Sequence, residues 1–367
     1  MAVSFRRSAI ARVCLSMHTY SVTYEGSPNN TPGSSSYVPC LTFAPGQNES
    51  NQTVEQRIGP LVAERTSRRR FFYGIEVTAN EMGGGPPVCL NFNHFLPLLP
   101  TFVSVVWLNQ RYWDVEPIGQ VRSLQMAKHL ATHIPVLPHL TAFRLSERRL
   151  NQFLDLNFSS ILAVRGDQVH EDQRFRLALP MIEHLRQQRE NISICVGGYP
   201  EGYTNLGDFP PAFTKNIAFL KKKVIAGADC IITQICYDSE AIVQFIKDCR
   251  AAGITVPILV GLTPHESFRS YLMMENVANV RLPTDLRRLL DDQRGIPIRD
   301  TLTEEDPVKK FFINLTVKIV RDVLDADLGI WGFHFFTLNQ FKLVQEVLQE
   351  LRNLNVIEDG DQNGKQD

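Results

Sequence analysis

The chain has 367 residues, of which 44% are hydrophobic and 21% charged, a balance that can bury a sizeable core and excludes wholesale disorder. Lys and Arg total 38 against 39 Asp and Glu, so no global charge attracts nucleic acid or an anionic membrane. The sequence has no apolar run of about 18 residues and no CxxC pair, which predicts a soluble protein without a zinc site. The seven cysteines then fit a reducing compartment.

Both ends of the chain have the composition of tails. Residues 1–24 contain arginines but no acidic residue, as in a mitochondrial transit peptide, although an ordinary disordered terminus is our preferred interpretation. Residues 25–53 are rich in Ser, Asn, Pro and Gly and too polar to offset their ordering entropy. We therefore predict a disordered or targeting tail over 1–54, a folded part over 55–357 and a second disordered tail over 358–367.

The folded part alternates between two kinds of segment. Short β-branched and aromatic runs predict strands, and the stretches between them have helical periodicity. Helices are predicted at 123–133, 146–157, 177–190, 216–228 and 239–253, and the long gap 263–331 has room for two or more. The eight strands are predicted at 71–78, 102–108, 135–142, 160–165, 192–199, 230–236, 256–262 and 332–338. This alternation favours a single-domain α/β fold, a (β/α)8 TIM barrel, over an open doubly wound sheet.

Unusual polar residues fall in the C-terminal halves of these strands, where a barrel of this kind builds its site. Burying a carboxylate in an apolar strand costs several kcal/mol, about 2–7 for a polar group alone, unless it is protonated or paired. Glu76 is therefore a candidate general acid with a raised pKa, and its alternative is a salt bridge in the barrel mouth. The polar strand-end residues are Glu76, His139, Arg165, Gly166, Asp167, Tyr199, Gln234 and Asn339.

Two further features indicate a bound anion or heterocycle. After the fourth strand, Arg165 can pair with phosphate, Gly166 allows close backbone approach, and Asp167 can accept hydrogen bonds. A plain ion pair in the loop is the alternative. Lys223 ends a run of three lysines, which is either a solvated helix face or a phosphate site. Neither a GxGxxG nor a Walker A pattern occurs, so Rossmann and P-loop nucleotide binding have no support.

Six segments occur in an order that resembles a known family: LPHLT, LAVRGD, GGYPEG, KKKVIAGADCIITQICYD, NVRLP and GFHFFTLN. They resemble the methylenetetrahydrofolate reductase family, over about 70–345, and the chain looks like its catalytic domain without the regulatory domain. The resemblance implies an oxidoreductase acting on a CH–NH donor, in which FAD takes a hydride from NADPH or NADH. Ping-pong transfer then converts 5,10-methylenetetrahydrofolate to 5-methyltetrahydrofolate, which feeds methionine synthesis.

The resemblance also assigns roles to residues. It implies that Glu76 is the acid that assists protonation of a folate nitrogen, and that Asp167 places a negative charge near the flavin and the pterin. It implies substrate contacts at Gln234, Phe336 and Gln340. It implies FAD contacts at His139, Arg165, Gly166, Asp167, Tyr199, Lys223 and Ile232. It favours a cytoplasmic homo-oligomer, with mitochondrial import as the alternative, and leaves the choice between NADPH and NADH open.

The sequence departs from the family pattern around the cofactor. The family has Phe-Phe-Pro-Pro after its glutamate, whereas residues 77–80 are Val-Thr-Ala-Asn, so another loop conformation is expected. Val106, Tyr203 and Asn216 stand where the family has a threonine, a histidine and an aspartate. Weaker or rearranged FAD binding is therefore expected.

A second group of departures affects the folate side. Phe336 and Gln340 replace the tyrosine and arginine of the family motif HFYTLNR. Loss of a charge-assisted hydrogen bond costs about 1–3 kcal/mol, so weaker folate affinity is expected. Two alternatives to an active reductase follow: a non-catalytic barrel that serves as a binding or regulatory partner, and a flavin oxidoreductase acting on a related pterin or C1 carrier.

Overall fold

The computed structural model describes residues 39–45, 47, 56–79, 88–107, 118–166, 173–202, 213–294 and 306–358. Its centre is a closed barrel of eight parallel strands. The barrel strands are β2 (Phe72–Thr78), β4 (Phe102–Val106), β5 (Val136–Thr141), β6 (Ser160–Val164), β7 (Ser193–Gly198), β8 (Cys230–Thr233), β9 (Ile258–Leu262) and β10 (Gly332–Phe335). All eight predicted strands are confirmed, and the TIM-barrel fold with them.

Helices surround the sheet. They are α1 (Ile58–Ser67), α2 (Arg122–Ala131), α3 (Glu147–Leu154), α4 (Ala178–Gln188), α5 (Phe213–Ile225), α6 (Ser239–Ala251), α7 (Phe268–Ala278), α8 (Thr284–Arg294), α9 (Pro307–Asp325) and α10 (Phe341–Asn353). The five helices predicted one by one are α2 to α6, and the long gap holds α7, α8 and α9. Among the residues described, no helix is long and apolar enough to cross a membrane.

Two glycines end helices as their positions in the sequence predict. Gly227 follows α5 with φ of 111°, and Gly253 follows α6 with φ of 79°. Both values lie in the left-handed region that glycine adopts without steric cost. At the other end of α6, the Asp238 side chain accepts hydrogen bonds from the backbone N–H groups of Glu240 and Ala241, a standard N-cap.

Alternation along each strand divides the core into two layers. In β2, Tyr73, Ile75 and Val77 pack into the outer cluster beneath the helices, whereas Phe72 belongs to the inner cluster. Because side chains alternate along a strand, Glu76 shares the inner face with Phe72. The inner cluster consists of Ile58, Val62, Phe72, Phe102, Leu137, Leu162, Cys195, Cys230, Ile232 and Leu259.

Helix α1 closes the N-terminal end of the barrel. The backbone N–H of Ile58 donates to Ser160 Oγ and that of Gly59 donates to Ser193 Oγ, each at 2.8 Å. These are first-turn N–H groups of α1, which have no partner within the helix. Buried serines at the starts of two barrel strands therefore satisfy the helix end and hold it across the barrel floor.

A small second sheet lies outside the barrel. β1 (Cys40–Thr42) pairs in parallel with β3 (Cys89–Asn91). Phe43, after β1, stacks on His133 with ring centroids 3.7 Å apart. β1 falls inside the segment expected to be a tail, and the reason is burial: Ala44 is only 4% exposed. Residues 1–38 lie outside the described residues.

Candidate active site

Strand register brings the predicted residues to one end of the barrel interior. Glu76 is paired with Ser104, His139 with Leu162, and Gly197 with Ile232. Residues paired across parallel strands point to the same face, so Glu76, His139 and Ile232 all face inward. The following predicted residues lie in the C-terminal halves of barrel strands or directly after them: Glu76, His139, Gly166, Tyr199, Ile232, Gln234 and Phe336.

Glu76 lies two residues before the C-terminal end of β2, near the barrel mouth, and is only 8% exposed. Burial raises the pKa of its carboxyl group from 4.5 to about 8, because desolvation disfavours the charged form. Its backbone oxygen accepts a hydrogen bond from Thr337 Oγ1 at 2.6 Å. The backbone at Glu76 is therefore tied to the segment after β10, and the raised pKa keeps the carboxyl group protonated near neutral pH.

His139 is a titratable neighbour of this carboxyl group. Its Nε2 atom lies 3.9 Å from Glu76 Oε2, the separation of a long ion pair. Burial lowers the pKa of His139 to about 4, so between about pH 4 and pH 8 both groups are uncharged. The salt bridge considered as the alternative role of Glu76 is therefore not formed with His139 near neutral pH.

A second histidine lies one layer deeper. His334 Nε2 is 2.8 Å from Ser104 Oγ, and burial, with a smaller effect of His139, lowers the His334 pKa to about 3. Neither His334 nor Ser104 is among the predicted site residues. The signal was the period of two in β10, which places His334 on the same face as Phe336.

Asn339 joins the first and last barrel strands. Its side chain accepts from the Thr78 N–H at 3.0 Å and donates to the Thr78 oxygen at 2.8 Å. Its φ of 64° lies in the left-handed region, which asparagine tolerates better than most residues. Asn339 thus fixes the last residue of the strand that carries Glu76.

Lys223 is buried, whereas its neighbours Lys221 and Lys222 are exposed. It is 4% exposed, and desolvation lowers its pKa to about 7. Its Nζ atom donates to the Gly197 oxygen at 3.3 Å and lies 5.8 Å from the centroid of the Tyr199 ring. The solvated-face alternative is wrong for Lys223, because the side chain is buried against β7.

The folate-side candidates occupy three different settings. Gln234 directly follows β8, and its Oε1 atom accepts from the Ile235 N–H at 2.9 Å. The half-buried Phe336 packs edge-on to His334 with ring centroids 4.8 Å apart. Gln340 is the N-cap of α10 without a side-chain cap hydrogen bond. The side-chain amide of Gln340 therefore serves no capping role.

Other candidates differ in what the structure describes. Arg165 and Gly166 follow β6, both half-buried, and Gly166 has φ of 85°. Val106 ends β4 opposite Thr78. Asp167 and Tyr203 lie outside the described residues. Asn216 Nδ2 donates to the Tyr199 oxygen at 2.8 Å, so this amide supports the strand end. In the part of the chain described, no three His, Cys, Asp or Glu residues are grouped to hold a metal.

A family model described as methylenetetrahydrofolate reductase matches residues 63–352. The chain belongs to the methylenetetrahydrofolate reductase family. The family match confirms the recognition made from the six sequence segments. It spans the barrel from α1 to α10, so every predicted site residue lies inside the matched region.

Curated relatives in the reductase family are longer than this chain. A probable methylenetetrahydrofolate reductase (NADH) of Oryza sativa subsp. japonica is 31% identical over 256 residues, covering 65% of this chain and 41% of the relative. A probable methylenetetrahydrofolate reductase (NADPH) of Caenorhabditis elegans is 26% identical over 329 residues, covering 85% and 46%. The chain therefore spans less than half the length of these reductases.

A solved structure supports the reductase barrel as a fold. It is a Clostridium thermocellum protein described as binding two copies of 5-methyl-5,6,7,8-tetrahydrofolic acid. The TM-score is 0.54 at 16% identity, and the match covers 80% of this chain and 99% of that one. At this identity the likeness concerns the fold alone.

Proposed function

We propose that the chain reduces 5,10-methylenetetrahydrofolate to 5-methyltetrahydrofolate with NADPH or NADH and FAD. The observation that carries the proposal is the buried, protonated Glu76 at the mouth of a barrel that belongs to the reductase family. Relatives named for NADH and for NADPH support a nicotinamide donor and leave the choice between them open.

The residues at the barrel end fit a flavin cofactor. His139 Nε2 is buried without a hydrogen-bond partner among the described residues, which leaves it available for a polar ring atom. Lys223 is a buried amine close to a strand end, and an anionic phosphate would restore its charge. Gly166 and Tyr199 complete the polar and aromatic lining. When bound, FAD supplies the hydride carrier between the nicotinamide and the folate.

Glu76 acts as the general acid of the proposed reaction. A pKa of about 8 keeps its carboxyl group protonated at neutral pH. This pKa is also close enough to the operating pH for efficient proton transfer. The proton goes from the Glu76 carboxyl group to the folate nitrogen that becomes an amine when the five-membered ring opens. His139 is uncharged at this pH, so it does not compete with Glu76 as the proton donor.

Gln234 and Phe336 would hold the pterin, with the amide for hydrogen bonds and the ring for stacking. The description of the Clostridium thermocellum protein as a methyltetrahydrofolate binder supports a folate in such a barrel. Gln340 carries no charge for the glutamate end of the substrate. The product would then supply a methyl group for methionine synthesis.

The test separates the two halves of the reaction. Purified full-length protein is loaded with FAD, reduced anaerobically with NADPH or NADH, and then mixed with 5,10-methylenetetrahydrofolate while the flavin absorbance is followed. We expect bleaching by the nicotinamide and recovery of colour with the folate. Glu76→Gln should block recovery and leave bleaching unchanged, whereas Glu183→Gln, on the exposed face of α4, should change neither step.

Two outcomes would overturn the proposal. Protein that cannot be loaded with FAD would favour a binding or regulatory partner subunit. Bleaching by the nicotinamide without recovery on any addition of methylenetetrahydrofolate would favour an oxidoreductase acting on another pterin or C1 carrier. Equal loss of both steps in Glu76→Gln would remove the assigned role of Glu76.

A further inference from the structure

Two pairs of cysteines face each other across neighbouring parallel strands. Cys40 of β1 is the register partner of Cys89 of β3, and Cys195 of β7 is the register partner of Cys230 of β8. Neighbouring strands lie about 4.8 Å apart, which falls within the Cα separation of about 4.4–6.8 Å that a disulfide spans. Both pairs therefore meet the first geometric requirement for a disulfide.

The two pairs differ in exposure. Cys40 and Cys89 are both exposed, whereas Cys195 and Cys230 are buried in the barrel interior. Thiol–disulfide exchange needs access of an external disulfide to the attacking sulfur. The structure thus contains one accessible pair of cysteines and one inaccessible pair, each formed by register partners on neighbouring strands.

The exposed pair is held together by the fold. The Cys40 backbone N–H donates to the Val88 oxygen at 3.0 Å, and the ring stack of Phe43 on His133 fixes the chain just after β1. A hydrogen bond between the side chains of Cys89 and Cys40 raises the pKa of Cys89. The strand register and this side-chain interaction both place the two thiols on neighbouring positions of the same sheet.

We propose that Cys40 and Cys89 are a thiol–disulfide exchange site for low-molecular-weight disulfides of the glutathione type. The Cys40 thiolate attacks one sulfur of the external disulfide, forms a mixed disulfide and releases one thiolate, which takes up a proton. Cys89 then loses its proton to water and attacks the Cys40 sulfur, which breaks the mixed disulfide and releases the second thiol. One external disulfide is reduced to two thiols, and the two protein thiols are oxidised to one disulfide.

The disulfide would join two parts of the chain on either side of the Glu76 strand. The loop closed by Cys40 and Cys89 contains α1, which covers the barrel floor, and β2, which carries Glu76. Oxidation thus links β3, which follows β2 in the sequence, covalently to β1, which precedes α1. The site lies on the outer sheet, so this inference does not depend on the proposed reaction.

The test is a redox titration of the native full-length protein. Reduced protein is equilibrated in buffers of increasing oxidised-to-reduced glutathione ratio, quenched by alkylation, and digested for mass spectrometry without reductant. We expect a cross-linked peptide containing Cys40 and Cys89 that is restored to two free thiols by reductant. The same digest should show Cys195 and Cys230 without a disulfide between them and without bound glutathione at every ratio.

Two variants and a control variant complete the test. Cys40→Ser and Cys89→Ser should each abolish the cross-link and leave the remaining cysteine as a mixed disulfide with glutathione. Cys14→Ser should leave the cross-link unchanged; Cys14 lies outside the described residues. Glutathione on both Cys40 and Cys89 without a cross-link, or a cross-link from either one to Cys14, would overturn the proposal. So would the absence of any oxidation at the most oxidising ratio.

Discussion

Replacing Glu76 by glutamine should remove a pH dependence of folding stability. In the folded protein the pKa of Glu76 is about 8, against an ordinary value of 4.5. The unfolded chain therefore releases this proton at lower pH than the folded chain does. The stabilising contribution of the protonated group is complete below about pH 4.5 and is lost as the pH rises to about 8.

The size of the effect follows from the pKa. Each pH unit between the two pKa values costs about 1.36 kcal/mol, so the whole interval corresponds to about 5 kcal/mol. Between pH 5.5 and 7.5 the wild-type protein should lose about 2.7 kcal/mol of its free energy of unfolding through this group. Glutamine has no proton to lose, so the variant should gain that amount relative to wild type over the same interval.

The assay is urea unfolding of both proteins, free of cofactor, in steps from pH 5.5 to 7.5. The lowered pKa of His139 affects stability between about pH 4 and 6.5. Because His139 is present in both proteins, taking the difference between them cancels this contribution. Glu183→Gln, an exposed carboxyl group, is the control and should give a nearly constant difference. A Glu76→Gln difference that stays constant with pH would show that Glu76 has an ordinary pKa and is therefore not a protonated general acid near neutral pH.

Three further predictions concern the barrel end. Lys223→Met should weaken FAD binding about ten- to a hundredfold, which is the value of a hydrogen bond to a charged group. The matched control Lys222→Met, at an exposed lysine, should leave FAD binding unchanged. Equal effects of the two variants in a fluorescence titration would refute the phosphate role. Gly261→Ala places a Cβ atom 2.3 Å from a backbone oxygen of the neighbouring strand, whereas at Gly119 the nearest atom is 4.0 Å away. Gly261→Ala should therefore cost about 1–3 kcal/mol or more in thermal or urea unfolding, and a cost no greater than that of Gly119→Ala would contradict the packing. Gln340→Arg should tighten binding of polyglutamylated folate about 5- to 150-fold, because a hydrogen bond to a charged group contributes about 1–3 kcal/mol. An equal gain for a pteridine that lacks glutamate would refute a contact between residue 340 and the glutamate tail.

The alternation of strands and helices was readable from the sequence because a parallel barrel buries both faces of its strands. Such strands appear as continuous apolar runs, and an ionisable residue inside one, such as Glu76, is conspicuous. His334 was missed although it lies in β10, because a lone histidine between aromatic residues gives no sign of its partner. That partner, Ser104, lies 230 positions away in the sequence.

The outer sheet was also not predictable from local pattern. β1 has only three residues, and it follows a long stretch rich in Ser, Asn and Pro. Its stability comes from pairing with β3 and from the stack of Phe43 on His133. Both contacts join distant parts of the chain, and such tertiary contacts override local composition.

Closure of the barrel by β10 against β2 has a consequence for biosynthesis. Thr337 and Asn339, which donate hydrogen bonds to the C-terminal end of β2, lie 261 residues after their partners. At about 5–20 residues per second, β2 waits roughly 13–50 s on the ribosome before its last neighbour is made. During that time one edge of the strand that carries Glu76 is unpaired, and such edges promote aggregation. Release of the nascent chain before β10 emerges should therefore yield insoluble protein, and chaperones that shield strand edges should act on this chain early.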